Sequence, residues 1–500
     1  MVRGELLRRR SSLNLDLHSW DTTKFIPREK NGKGKMSPQT IYALASAGGR
    51  TGIAVVRVSG PAAAAALTAL AGDGGQEAQS HPRRAIRVQL SDPGTSEPID
   101  DGLVIWFPGP SSFTGEDVAE FHLHGGPAVI TGVLEALSGM AGLRMATPGE
   151  FTRRAFENGK MDLTAAEGLA DLIEAETSAQ RRQALRQLEG ELGRLYEDWR
   201  LRLLSALAHG EAGIDFSDED LPAGIEAKAR EDVARLERAL ADHLNDGRRG
   251  ERLRDGFHIA IIGPPNAGKS SLLNQLARRD AAIVSATAGT TRDVIEVHLD
   301  LGGYPVTVAD TAGLREVDEE DDGGHGGGNN EIEAEGIRRA RAHAADADLR
   351  LAVFDGEAWP EADPATVGLV DDNAIVVINK SDLAPVTSPA AVNEQPALAI
   401  SALTGDGIEA LLAAITERVA VLMNTAASPA PALTRTRHRE ALEECRAALG
   451  RFLAAAPGAA TPELAAEDLR LAARALGRIT GRVDVDDVLD VIFRDFCIGK

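Results

Sequence analysis

Gly263-Pro264-Pro265-Asn266-Ala267-Gly268-Lys269-Ser270 is the stretch that decides the fold. It follows the apolar run Phe257–Ile262 and precedes Leu272, Leu273 and Leu276 at helical spacing, so it reads as strand, loop, helix. Small residues there let backbone N–H groups wrap phosphates at the positive end of a helix. Lys269 then reaches the β- and γ-phosphates, and Ser270 offers its hydroxyl to magnesium. Ala267, Gly268 and Ser271 complete the expected lining of the loop.

Outward from this loop, four further motifs follow in order. Gly289-Thr290-Thr291 lies in a polar loop, where a threonine hydroxyl, Thr291 by preference, completes the metal shell. Asp310-Thr311-Ala312-Gly313 ends a strand 41 residues after Lys269. Asp310 suits an indirect magnesium contact and the Gly313 amide suits the γ-phosphate. Asn379-Lys380-Ser381-Asp382 ends a later strand, and its carboxylate accepts two hydrogen bonds from guanine N–H groups that adenine does not supply. Ser401-Ala402-Leu403 follows the last strand and meets the guanine oxygen through backbone. Five motifs, each at a strand end, predict a P-loop GTPase domain, because ligands of open α/β sheets sit at those ends. The buried parallel strands are expected at Phe257–Ile262, Val306–Ala309, Leu351–Phe354, Ala374–Ile378 and Ala397–Ile400.

One position departs from the familiar signalling GTPases, where a glutamine orients the attacking water. Here it is Leu314, which has no group for that task. Three replacements are open: a carboxylate in the following loop, an arginine from a partner, or a bound monovalent cation. Two readings are open for Asn266, a cation ligand or simple turn propensity.

The flanks differ in texture. Residues 41–148 alternate short β-rich runs with Gly/Pro turns and a helix near 61–70, an α+β pattern. From Thr164 the chain turns helical, with Thr164 and Glu167 read as a capping-box pair. Leu185, Leu188, Leu192, Leu195, Trp199, Leu203 and Leu207 repeat at spacings of three and four and predict one long amphipathic helix. After about Met423 helix returns. An α/β domain is therefore expected inside two helical blocks.

The 500 residues hold 54 Lys and Arg against 76 Asp and Glu, a net charge of −22. That argues against coating nucleic acid by bulk attraction. The charge is uneven, however: −16 falls in 256–424, and residues 1–35 carry +5. Phosphate contacts are therefore expected away from the α/β domain, at Arg181, Arg182 and Arg186 or at Arg435, Arg437 and Arg439. No run of about 18 apolar residues occurs, so no membrane span is expected. Cys445 and Cys497 make no disulfide framework and fit a reducing compartment. Residues 1–35 read as a flexible extension, as sequence upstream of a start at Met36, or as a targeting peptide, although Glu5, Asp16, Asp21 and Glu29 are unusual in one.

Several blocks resemble the tRNA modification GTPase family MnmE (TrmE). They are Gly52-Ile-Ala-Val-Val-Arg57-Val-Ser-Gly60, Trp106-Phe-Pro-Gly-Pro110, Ser112-Phe-Thr-Gly-Glu-Asp117, His124-Gly-Gly126, Pro148-Gly-Glu-Phe-Thr-Arg153, Asn158-Gly-Lys-Met-Asp-Leu163, Ala288-Gly-Thr-Thr-Arg-Asp293 and the terminal Phe496-Cys-Ile-Gly-Lys500. The likeness runs from about Met36 to Lys500. It implies a multidomain α/β and α+β protein in five segments. These are an extension (1–35), an N-terminal folate-binding-like α+β domain that dimerises (36–155), a discontinuous helical domain (156–255 and 424–500), and an inserted Ras-like P-loop G domain (256–423).

The resemblance also implies ligands and roles. The nucleotide is GTP, lined additionally by Ser285, Ala286, Thr287, Ala288, Thr311 and Ala312. Potassium is held by Asn266, Ser285, Thr287 and Thr290, answering the Leu314 problem. Glu333, in Ile332-Glu333-Ala-Glu-Gly336-Ile337, is the water-orienting glutamate; with Lys269 and Asn266 it makes the expected catalytic set. Arg57, Glu120, Lys160 and Lys500 hold a 5,10-methylene- or 5-formyl-tetrahydrofolate. A homodimer joins an FAD-containing MnmG-type protein in a heterotetramer and adds an aminomethyl-type group, such as carboxymethylaminomethyl, to ring carbon five of the wobble uridine of certain tRNAs. The expected compartment is the bacterial cytoplasm, ahead of a mitochondrial one. The alternative is an RNA-binding GTPase switch in ribosome assembly. Cys497 has two readings, a nucleophile toward uracil or a tail residue closing the folate site. One departure stands out: Asp318–Asp322 and Gly323–Asn330 form a Gly-rich acidic insertion of about a dozen residues before Glu333, and His325 is a loop residue within it.

Overall fold

The computed structural model describes residues 39–215, 225–279, 281–283, 296–310, 347–384, 390–424, 431–455 and 462–483, with single positions 489, 492, 493, 496 and 499. Ser285, Ala286, Thr287, Ala288, Gly289, Thr290, Thr291, Thr311, Ala312, Gly313, Leu314, His325, Glu333, Cys497, Lys500, the extension and the acidic insertion lie outside them. The chain divides into two compact units, Met1–Met161 with Asp486–Lys500, and Asp162–Val485.

The first unit runs β1 (Thr40–Leu44), β2 (Ile53–Ser59), α1 (Ala63–Ser80), β3 (Ile86–Ser91), β4 (Pro98–Phe107), β5 (Val118–His124), α2 (Pro127–Ser138), β6 (Leu143–Met145) and α3 (Glu150–Glu157). Its six-stranded sheet has the order β3-β4-β5-β2-β1-β6 and is antiparallel except for β1 against β6. Alternation sorts the faces. Val56, Val58, Phe121 and Val104 enter a core with Leu67, Leu70, Val133 and Leu137 of α1 and α2. Arg57, Glu120 and His122 fall on the other face. The C-terminal segment belongs to this unit: Phe493 stacks at 6.4 Å from Phe156, and a Cβ on Gly499 would stand 2.1 Å from the Leu44 carbonyl.

The second unit opens with α4 (Leu163–Glu174), α5 (Ser178–Leu188), α6 (Glu191–Asp215), α7 (Ile225–Leu244) and α8 (Arg249–Asp255). It continues through β7 (Phe257–Ile262), α9 (Lys269–Ala277), β8 (Glu296–Leu301), β9 (Tyr304–Asp310), β10 (Leu349–Asp355), α10 (Pro364–Val367), β11 (Ala374–Asn379), β12 (Ala391–Val392), β13 (Gln395–Ala399) and α11 (Ile408–Asn424). Two helices close it, α12 (Thr436–Ala454) and α13 (Pro462–Thr480). The five expected strands are present within a residue or two and pair in parallel. Two antiparallel edge strands, β8 and β12, were not expected. The sheet order β12-β13-β11-β10-β7-β9-β8 buries β7 centrally, with Ile259 and Ile261 in one core and Ala260 and Ile262 in another on the opposite face.

Helices α6, α7, α12 and α13 share a third core around Leu192, Tyr196, Leu203, Leu240, Leu442 and Leu476. Two helical expectations need correction. Asp162, not Thr164, caps α4: its carboxylate accepts from the Ala165 amide at 2.8 Å, and the Thr164 hydroxyl donates to it. The capping box belongs instead to Thr177 and Gln180 at the start of α5. The long helix is also two, because the chain turns left-handed at Gly190 (φ 80) between α5 and α6. Leucine spacing runs through that break, so periodicity alone does not show it.

Glu167, freed from a capping role, is buried at the centre of an ionic junction. It accepts both guanidinium arms of Arg437 at 2.6 Å and meets His438 Nε2 at 2.9 Å. Arg435 reaches Asp171 at 2.6 Å, and Arg439 bonds Asp246 and Glu251. The second of the two arginine clusters expected to contact phosphate therefore fastens α12 to α4 and α8, and the expectation is corrected for Arg435, Arg437 and Arg439.

Candidate functional site

The nucleotide loop forms because β7 ends at a point where backbone crowds backbone. Gly263 has φ 154, and a Cβ there would stand 2.2 Å from the Val353 carbonyl. Gly268 has φ 89, and its Cβ would meet Asn379 Nδ2 at 2.2 Å. Only glycine fits either place. Helix α9 then starts at Lys269, aiming its first-turn amides into the loop. Lys269 Nζ donates to the carbonyls of Gly263 (3.0 Å) and Pro264 (2.9 Å). Ser270 is exposed on the first turn, and Ala267 is buried beneath the loop. Asn266 is exposed and left-handed (φ 64), the conformation asparagine tolerates best after glycine. Turn propensity thus accounts for Asn266 without excluding a ligand role.

Asp310 ends β9, in register with Ile261 of β7, so its backbone lies beside the loop. On the other side Asn379 is buried and acts as a bracket. Its Nδ2 donates to the Ala267 carbonyl (2.8 Å), and its Oδ1 accepts from the Ala402 amide (2.9 Å). Ser401 is also buried, and its Oγ accepts from the Thr404 amide at 3.1 Å. These two residues fix the loops, leaving Asp382 and Leu403 exposed beside them, the latter 84% exposed. Lys380 is left-handed and its Nζ pairs with Asp355 Oδ2 at 2.6 Å. Burial would raise the Asp355 pKa, but Lys380 and the Glu357 amide together outweigh it and hold the carboxyl below its usual value, while the same pair raises the ammonium pKa. The loop, Asp310, Asn379–Asp382 and Ser401–Leu403 thus converge on one edge of one sheet, at its topological switch point.

The first unit carries a second polar group. Arg57 on β2 faces Glu120 on β5, its Nε 3.0 Å from Oε1. The guanidinium lies between the rings of Phe113 (5.5 Å) and Phe151 (5.7 Å). Burial alone would raise the Glu120 pKa, but His122 at 3.4 Å and Arg57 outweigh it and hold the group below the usual carboxylate value. Lys160 Nζ donates to the Pro110 carbonyl at 2.9 Å. Nearby, Arg154 bonds Glu116 and Glu150. Burial opposes ionisation of Glu150, yet Arg144, the Thr147 amide and Arg154 bring its pKa down to about 2. His122, Phe113 and Phe151 were missed from sequence. The one available signal was that His122 lies two residues from Glu120 on a strand and so shares its face.

Known proteins resemble most of the chain. The family model described as MnmE helical domain matches residues 163–497, and that described as GTP-binding protein TrmE N-terminus matches 40–160. The tRNA modification GTPase MnmE of Paramagnetospirillum magneticum is 58% identical, covering 92% of this chain and 100% of its own. That of Parvibaculum lavamentivorans is 57% identical with the same coverage. The human mitochondrial protein named 5-taurinomethyluridine-tRNA synthase subunit GTPB3 is 48% identical over 93% of this chain and 94% of its own. Among described residues no helix is long and apolar enough to cross a membrane.

Proposed function

Because the chain belongs to the tRNA modification GTPase MnmE family, we propose that it is a GTP-hydrolysing enzyme that modifies the wobble uridine of certain tRNAs. The observation that carries this reading is the convergence of the phosphate loop, Asp310, Asn379–Asp382 and Ser401–Leu403 on one sheet edge.

In this reading Lys269 leaves its two backbone carbonyls for the β- and γ-phosphates of GTP. That exchange trades two backbone acceptors of the loop for charged phosphate oxygens, a stronger partner for an ammonium. Asp382 accepts from the guanine N–H groups, and Asn379 and Ser401 hold that surface rigid. Ser270 and Thr291 would hold magnesium, with Asp310 behind them; the exposed Ser270 on the first turn of α9 fits this. Asn266, Ser285, Thr287 and Thr290 would hold potassium. Both cations supply positive charge where the phosphates gain negative charge. Glu333 orients the attacking water. Hydrolysis drives conformational change and leaves the carbon chemistry to the other site.

That site is the Arg57–Glu120 group with Lys160 and Lys500. The ionised, acceptor-only Glu120 fits the amino edge of a tetrahydrofolate pterin. The folate supplies the one-carbon unit when bound, and an FAD-containing MnmG-type partner handles the redox step. The product carries a carboxymethylaminomethyl or aminomethyl group at ring carbon five. We place the homodimer and its complex in the bacterial cytoplasm.

Nucleoside mass spectrometry of tRNA from a deletion strain, with and without this chain restored, tests the reading. Loss and recovery of the ring-carbon-five group is expected; unchanged wobble uridines would overturn it. GTP turnover compared in potassium and sodium tests the cation assignment, and equal rates would remove Asn266 from the mechanism.

A further inference from the structure

Between α12 and α13 lies a groove of about 330 Å³. Its floor is Ala447, Ala448, Ala475 and Leu471, and its rim carries Arg451, Arg474 and Arg478 with Glu444 as the lining acid. We propose that this groove binds the phosphodiester backbone of the RNA substrate, an assignment that rests on the tRNA reading above.

Three observations carry the assignment. First, the rim is basic in a chain of net charge −22. Arg474 is exposed and has no ionic or hydrogen-bonding partner among the described residues. Second, the other two guanidinium groups pair with carboxylates while staying open to water. Arg451, 55% exposed, bonds Asp468, 20% exposed, through Nε at 2.8 Å, and Arg478, 39% exposed, meets Glu444, 60% exposed. Exposed pairs of this kind contribute about 0–1 kcal/mol, so a phosphate competes for these arginines easily. Third, Arg470, Arg474 and Arg478 recur every fourth residue on α13, about 6 Å apart along the axis. A ladder of planar five-donor forks suits a row of phosphates better than one small anion. The small floor side chains let a sugar approach between the helices.

The contrast with Arg435, Arg437 and Arg439 sharpens the choice, since the carboxylates they pair with are at most 11% exposed. The sheet domain, at −16, repels a phosphate chain.

The test uses the full-length protein and an unmodified tRNA transcript with uridine at the wobble position. Binding is followed by fluorescence anisotropy across a potassium chloride series. The variant R451A/R474A/R478A should bind at least about tenfold more weakly. Its slope of log affinity against log salt should be shallower by about 2–3, since each lost phosphate contact removes roughly 0.7–0.9. The charge-matched control R202A/R235A/R238A, on exposed faces of α6 and α7, should keep the wild-type slope. The lysine variant R451K/R474K/R478K should restore most of the slope. An unchanged far-UV spectrum and melting midpoint confirm that each variant is folded. Equal affinity and slope in the groove variant would overturn the proposal, as would equal losses in both alanine triplets. If the groove variant keeps RNA but loses the flavin-containing partner, the groove is a protein interface and the proposal fails. A wild-type chain that binds no tRNA would overturn the tRNA reading along with it.

Discussion

The nucleotide edge and the ionic junction of the helical region both concentrate charge, and they use it in opposite ways. At the edge, Lys269 donates to two backbone carbonyls of its own loop, and Asp382 faces solvent. At the junction, Arg437 grips both oxygens of buried Glu167 and also the Ile479 carbonyl. A charge that faces solvent, as Asp382 does, is open to a ligand. A charge held by buried countercharges is committed to architecture, because removing either partner leaves the other desolvated. Burial of the partner, not residue type, separates the two roles.

The largest effect expected from this contrast is at the junction. Glu167→Ala strands Arg437 and His438 and should cost about 3–5 kcal/mol in chemical denaturation. A loss under about 1 kcal/mol would put Glu167 among ordinary surface pairs. At the edge the cost should move from stability to turnover. Lys269→Ala should slow GTP hydrolysis by about 10²–10³-fold while the unfolding midpoint hardly shifts. A large drop in midpoint with turnover retained would reverse the roles assigned here.

The junction should also respond to acid. Burial is the main cause holding His438, and His243 on α7 beside Tyr196, at about 4, with Glu167 and Asp246 acting in the opposite sense. The unfolded chain protonates these rings near pH 6.5, before the folded chain does. Their contribution is therefore complete above about pH 6.5 and is lost as pH falls toward 4. Each histidine accounts for on the order of 3 kcal/mol by then. Urea titrations of wild type and His438→Gln at pH 7 and 4.5 check this: the variant should lose less on acidification, and an equal loss would clear His438. The smallest effect belongs to the α5 cap. Thr177→Ala removes the acceptor for the Gln180 amide and should cost about 1 kcal/mol.

What could be read in advance divides along the same line. The phosphate loop and the parallel strands were legible because their constraints are local: glycine at a crowded turn, apolar runs on both sheet faces, polar motifs at strand ends. The partners of Arg435, Arg437 and Arg439 were not: Asp171 and Glu167 lie 264 and 270 residues from the first two, and Asp246 and Glu251 lie 193 and 188 residues from Arg439. Three arginines close in sequence looked like a nucleic-acid patch, whereas Arg451, Arg474 and Arg478 gather only when α12 and α13 pack. Asn379 and Ser401 were legible as motif members, but not as brackets, since bracketing needs the Ala267 carbonyl and the Ala402 amide in place. The break at Gly190 was hidden by leucines whose spacing continues across it.

The claim that the exposed groups of this sheet edge read a guanine base is tested most directly at Asp382. Its carboxylate accepts from two guanine N–H groups, whereas an asparagine offers a donor that xanthine, with a carbonyl in place of the amino group, accepts. Asp382→Asn should weaken GTP binding by at least about 100-fold, the loss of two charge-assisted bonds, and improve binding of xanthosine triphosphate. Undiminished GTP affinity in that variant, measured by titration with fluorescent nucleotides, would contradict the assignment of the edge.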